Sequence, residues 1–258
     1  MTDEVAQAAL DRALDEPEQL VLLYQPIHFA RTGEVYAAEA LLRQRRETGE
    51  LREASIIHEA AEESDGPEIF CLDHILVKKA YTAAGAWQSR HPDVRLHINL
   101  SPREFQEGNV LERLSSLVAS CRVDEHKVNI EITETSYIEE PEETMDVLRA
   151  LKKLGVELWL DDFGTAHSAL EHLQHFPVDG LKLPGAFVKP LPDDRRCRAI
   201  VRALIALAHE LDMRVIAEEV ERQEQLDFLL ELDCDYVQGF LFSKPMGVEK
   251  LERLLQKA

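Results

Sequence analysis

Asp161 and Asp162 close the apolar run Glu157-Leu158-Trp159-Leu160-Asp161-Asp162-Phe163-Gly164-Thr165, and their type and spacing could do chemistry. Side by side in a half-buried place, both resist ionisation unless a cation lies over or between them, and a divalent metal is the usual one. The bland reading is that the pair caps the following helix. Recurrence separates the two readings. Asn99 lies between Ile98 and Leu100, Glu131 between Ile130 and Ile132, and Lys182 between Leu181 and Leu183; Glu39 and Glu218 close similar runs, and Gln238 follows Val237. Any one of these reads as a satisfied polar residue at a strand end. Five carboxylates and an amide converging without a cation would cost several kcal/mol in repulsion and desolvation. Oxygen donors, with no cysteine or histidine pair at ligand spacing, suit Mg²⁺ or Mn²⁺ better than Zn²⁺. Adjacent aspartates fit a two-metal site with one bridging carboxylate, and such sites usually cleave phosphate esters.

Convergence requires strands that end on one rim. Apolar runs predict eight strands, at 20–27, 35–43, 94–100, 127–133, 156–161, 180–183, 214–217 and 236–240. Helical spacing predicts helices at 54–63, 69–88, 110–121, 141–154, 168–175, 195–211, 223–232 and 248–256. The turn Arg31-Thr32-Gly33-Glu34 is short enough to make the first two strands an antiparallel hairpin. From the third strand onward strand and helix alternate, which implies a mostly parallel sheet with helices outside. Eight strands are the number that closes a TIM-type (β/α)8 barrel, with an open doubly wound sheet as the alternative. Residues 1–18 read as a lead-in helix, with a frayed terminus as the bland reading, and 1–258 as a single barrel domain without linker or internal repeat.

The chain has 258 residues, enough for one large core, with Lys+Arg 29 against Asp+Glu 49 and a formal net charge of −20. So acidic a surface repels duplex nucleic acid. Cys71, Cys121, Cys197 and Cys234 have no metal-ligand spacing and read as reduced thiols of a cytoplasmic protein. The acidic N-terminus is no signal peptide, and no apolar run approaches the roughly 20 residues that cross a bilayer.

Glu39-Ala40-Leu41-Leu42-Arg43 spells a known signature, and the chain resembles the EAL domain of cyclic-di-GMP phosphodiesterases. The resemblance runs from Tyr24-Gln25-Pro26-Ile27 through Asn99-Leu100-Ser101, Glu131-Ile132-Thr133-Glu134, Asp161-Asp162-Phe163-Gly164-Thr165, Leu181-Lys182 and Glu218-Glu219-Val220-Glu221 to Gln238-Gly239-Phe240 and Pro245. It implies a barrel whose first strand is antiparallel to the others, in line with the hairpin. It implies that Glu39, Asn99, Glu131 and Asp161 hold one metal, and Asp161, Asp162 and Glu218 a second. It makes Glu134 the residue that steadies the loop after Asp162, and Arg43 a grip on a substrate phosphate. Gln25, Leu42 and Gln238 would line the nucleotide groove. The implied activity is hydrolysis of cyclic di-GMP to linear pGpG with Mg²⁺ or Mn²⁺, in which Lys182 orients water or offsets phosphoryl charge; the bland reading of Lys182 is a counter-ion for Asp162. Family members also dimerise and carry sensory or GGDEF-type domains.

Some positions depart from the family pattern. Pro184 stands where an Asp is usual, Ala166-His167-Ser168-Ala169 replaces Gly-Tyr-Ser-Ser, Glu219 replaces a glycine, and Ala54-Ser55-Ile56-Ile57-His58-Glu59 replaces a proline-led segment. The competing reading is therefore a receptor or protein-interaction module that holds the dinucleotide without turnover, and a barrel used only as a scaffold is a third.

Overall fold

The computed structural model describes residues 3–46, 48–54, 57, 60–61, 68–101, 110–133, 141–164, 173 and 176–256. Its strands are β1 (Leu20–Phe29), β2 (Val35–Arg45), β3 (Leu51–Glu53), β4 (Arg95–Asn99), β5 (Val128–Thr133), β6 (Glu157–Asp161), β7 (Gly180–Leu183), β8 (Arg214–Ala217) and β9 (Tyr236–Val237). The helices are α1 (Asp3–Asp15), α2 (Glu68–Gln88), α3 (Val110–Cys121), α4 (Pro141–Lys153), α5 (Gly185–Val188), α6 (Arg195–Glu210), α7 (Gln223–Glu231) and α8 (Val248–Leu255).

The sheet runs β1-β9-β8-β7-β6-β5-β4-β2-β3, and β1 also pairs with β2, so eight strands close into a ring with β3 as a flap on β2. That closure excludes the open doubly wound sheet. β1 is antiparallel to both β2 and β9, while β2 and β4 through β9 pair in parallel around the ring. The eight ring strands are those predicted from the apolar runs. The eighth is shorter than expected, ending at Val237, and β3 and α5 were not foreseen. The helix expected at 54–63 is described only at 54, 57 and 60–61, and that at 168–175 only at 173.

A closed sheet has two apolar faces, and the core divides accordingly. Outward-facing Leu96, Ile98, Val128, Ile130, Leu158 and Leu160 join the helices in the large cluster. Inside the barrel, Ile27, Tyr36, Ala37, Trp159, Ile216 and Tyr236 form a separate small one. Trp159 is accommodated there because β7 contributes Gly180: a Cβ at that position would run into the indole ring. Gly180→Ala is expected to destabilise the fold by about 1–3 kcal/mol, as overpacking of a full core does. A chemical-denaturation curve with an unchanged midpoint would contradict that packing.

Helix α1 is anchored. Leu10 and Ala13 are buried with Leu20, Ile57 and Leu72 in a satellite cluster, and Lys79 Nζ donates to Pro17 O at 2.6 Å and Leu20 O at 2.5 Å. Among the described residues no helix is long and apolar enough to cross a membrane. All four cysteines are free.

Candidate active site

Because side chains alternate along a strand, a residue aimed into the barrel is followed two positions later by another. On five strands one member of that series is polar: Asn99 and Asp161 end β4 and β6, Glu131 and Lys182 lie near the ends of β5 and β7, Glu39 lies midway along the long β2, and Glu218 and Gln238 follow β8 and β9 directly. The barrel brings them to one mouth. Lys182 Nζ lies 2.8 Å from Glu218 Oε1, 3.0 Å from Glu131 Oε2, 3.3 Å from Asp161 Oδ1 and 3.4 Å from Glu39 Oε1. Glu39 also accepts from Gln238 Nε2 at 2.7 Å and from Asn99 Nδ2 at 3.3 Å. Asp162 is adjacent, its backbone N–H donating to Asp161 Oδ1 at 2.9 Å. Oxygens of Asp161, Asp162 and Glu218 all lie within 4.8 Å of one another, a grouping able to hold a metal ion.

Burial grades from floor to mouth. Glu131, Lys182, Gln238 and Glu39 are buried, Asp161 and Glu218 are half-buried, and Asn99 and Asp162 are exposed. Desolvation raises the Glu39 carboxyl above its ordinary value, with the Glu131 charge adding to it, and lifts Glu131 to about 6 and Glu218 to about 8. For Lys182 burial acts to lower the pKa, but Asp161, Glu131, Glu218 and Glu39 outweigh it and hold the ammonium well above its usual range. One ammonium thus serves at least four acids, a deficit of positive charge that a divalent cation would correct. A carboxyl whose folded pKa is raised contributes stability below its unfolded pKa and loses it as pH rises through the folded value. The metal-free protein is accordingly expected to lose stability between about pH 4.5 and pH 8 through Glu131 and Glu218. Melting curves in chelator at pH 5 and pH 8 check this; a higher melting temperature at pH 8 would contradict it.

Beside the acids opens a cavity of about 500 Å³ lined by Leu42, Arg43, Asn99, Asp161 and Asp162, with Glu53 and Asp73. Arg43 Nη1 donates to Leu42 O at 2.8 Å, and Nη2 lies 3.8 Å from Glu53 Oε1 on the β3 flap. Gln25 donates to Ser243 O at 3.3 Å, and Gln238 is buried with its Nε2 on Glu39 Oε2. Lys182, read from the sequence as a counter-ion for Asp162, is shared by Glu39, Glu131, Asp161 and Glu218. Glu134 and the loop 166–169 lie outside the described residues.

The positions departing from the family pattern have a local logic where they are described. Glu219 adopts φ 53°, and its carboxylate reaches Lys189 Nζ at 2.5 Å. Gly185, next to Pro184, leaves the space that the Glu219 side chain fills. Sequence reasoning missed what lies beneath the acids: His97 Nδ1 is 2.8 Å from Glu131 Oε1, and Asn129 Nδ2 is 2.6 Å from His97 Nε2. The signal was in the alternation, since His97 and Asn129 stand two residues before Asn99 and Glu131.

The EAL domain family matches residues 7–245 of this chain. The chain belongs to the EAL domain family. It is 33% identical over 257 residues to the cyclic di-GMP phosphodiesterase NbdA of Pseudomonas aeruginosa, covering 99% of this chain and 32% of that protein. It is 31% identical over 254 residues to the signaling protein YkoW of Bacillus subtilis, covering 98% and 32%. The EAL chain therefore spans about a third of the length of these relatives. The solved PaMucR phosphodiesterase in complex with c-di-GMP superposes with a TM-score of 0.87 at 30% identity, covering 94% of this chain and 99% of that one.

Proposed function

We propose that this EAL domain is a divalent-metal-dependent phosphodiesterase that hydrolyses cyclic di-GMP to linear pGpG. The observation that carries the proposal is the meeting of four acids from four strands, Glu39, Glu131, Asp161 and Glu218, around the single ammonium of Lys182, with too little positive charge for the acids gathered there. Relatives named for this reaction, and a similar enzyme solved with the dinucleotide, support the substrate.

The donor set fits Mg²⁺ or Mn²⁺, being carboxylate and amide oxygens without thiolate. Glu39, Asn99, Glu131 and Asp161 would hold one ion, and Asp161, Asp162 and Glu218 the other. Bound there, the ions would supply an activated water and neutralise phosphoryl charge. Arg43 has a planar fork of donors suited to a phosphate, and it lines the cavity that adjoins the acids. Lys182, buried and held cationic, offsets negative charge as it develops on the phosphoryl oxygens. Gln238 and Asn99 fix Glu39 by hydrogen bonds to its two oxygens. By the family resemblance Glu134 would steady the loop after Asp162, and Gln25 and Leu42 would border the nucleotide.

A receptor that binds the dinucleotide without turnover is the second reading, favoured by Pro184, which offers no side-chain acceptor two residues after Lys182. Chromatography of cyclic di-GMP incubated with the protein separates the two. Release of pGpG in Mg²⁺ or Mn²⁺, abolished by chelator, is expected. Binding of the dinucleotide with no pGpG in either metal would establish the receptor. A homodimer and attached sensory or GGDEF-type domains belong to the same proposal.

A further inference from the structure

Below the proposed metal ligands runs a hydrogen-bonded column whose donors and acceptors can be assigned from one end. Arg95, on β4 at the opposite mouth, is oriented by Glu157, with Nη2 2.9 Å from Oε1. A guanidinium can only donate, so the Asn129 atom that Arg95 Nη1 meets at 3.0 Å is the amide oxygen, and the Asn129 NH₂ group faces the other way. That NH₂ group points at His97 Nε2, at 2.6 Å, and at the Tyr36 hydroxyl, at 3.2 Å. Nε2 must therefore accept, which places the imidazole proton on Nδ1, and Nδ1–H donates to Glu131 Oε1 at 2.8 Å. His97, Asn129 and Glu131 are all fully buried, so no solvent competes for these bonds.

We propose that His97 is a positioning residue that fixes Glu131 by holding Oε1, so that Oε2, 3.0 Å from Lys182 Nζ, is the oxygen presented to the mouth of the barrel. The proposal rests on the reading of Glu131 as a metal ligand. A carboxylate free to rotate on its χ angles loses part of its affinity to the ordering of that rotation, and a fixed one does not. Arg95 and Asn129 act one step further back, by allowing His97 a single tautomer. The column depends on the pairing of His97 with Asn129 across β4 and β5, whose Cα atoms are direct register partners.

Calorimetric titration of Mn²⁺ into the full chain, without substrate, tests it. His97→Leu removes the donor at similar volume, and His97→Gln keeps an amide that can donate to Glu131. We expect His97→Leu to weaken Mn²⁺ binding by about 10- to 100-fold, the usual effect of losing an outer partner of a ligand, and His97→Gln to recover most of it. KM for cyclic di-GMP at saturating Mn²⁺ should change little, because the column touches no part of the cavity. A folded His97→Leu with wild-type Mn²⁺ affinity overturns the proposal. Should His97→Leu fail to fold, the comparison passes to Asn129→Leu, which leaves the tautomer unassigned: weaker Mn²⁺ binding supports the positioning role, and unchanged binding overturns it. Failure of the underlying reading looks different, since the wild-type protein would then bind no Mn²⁺ at all.

Discussion

Glu39→Ala loses hydrolysis of cyclic di-GMP by at least about 10²-fold at saturating Mn²⁺, beyond the 10–100-fold expected when a residue merely supporting a ligand is lost. Glu39 is buried, accepts from both Asn99 and Gln238, and lies 3.4 Å from Lys182. Removing its carboxylate deletes one proposed metal ligand and leaves two amide donors without their acceptor. The dinucleotide should still bind, because the cavity beside Arg43 keeps its walls. Initial rates of pGpG release, together with equilibrium binding of cyclic di-GMP, make the comparison, and a circular-dichroism melt controls for folding. Near-native rates in metal-replete buffer would remove Glu39 from the proposed ligand set.

Lys182→Met has the second large effect, and on a different quantity. The substitution preserves bulk but takes the ammonium from among Glu39, Glu131, Asp161 and Glu218, at a site 1% exposed. Breaking a buried ion pair by removing one partner costs about 3–5 kcal/mol. For a chain of this size that is a fall of roughly 6–20 °C in melting temperature. The fall should be largest in chelator at pH 8, where proton uptake relieves the acids least, and Mn²⁺ should raise the melting temperature of the variant more than that of the wild type. A variant that melts with the wild type in chelator would mean that the acids do not depend on this cation.

The rim was legible in the sequence for a physical reason. A parallel strand buried on both faces reads as a continuous apolar run, so a single polar residue near its end, such as Glu131 or Lys182, stands out against its neighbours. Eight such runs with intervening helical spacing also carried the barrel, and Arg31-Thr32-Gly33-Glu34 carried the antiparallel start. The residues under the rim were not legible in this way. His97 and Asn129 satisfy each other inside the barrel, and only the pairing of β4 with β5 shows that they meet. The β3 flap was hidden because Leu51-Arg52-Glu53 is exposed and polar and has no pattern of its own; it forms by pairing with the overhang of β2. Similarly, α5 is one turn that follows Pro184 as the chain leaves β7, too short to leave a helical period.

Diffraction from Mn²⁺-soaked crystals, recorded for the anomalous signal of manganese, tests most directly whether the acids of one barrel mouth share divalent ions. Two peaks are predicted, one among Glu39, Asn99, Glu131 and Asp161, the other among Asp161, Asp162 and Glu218. A mouth without manganese at saturating concentration, with Lys182 still bridging the acids, would contradict it.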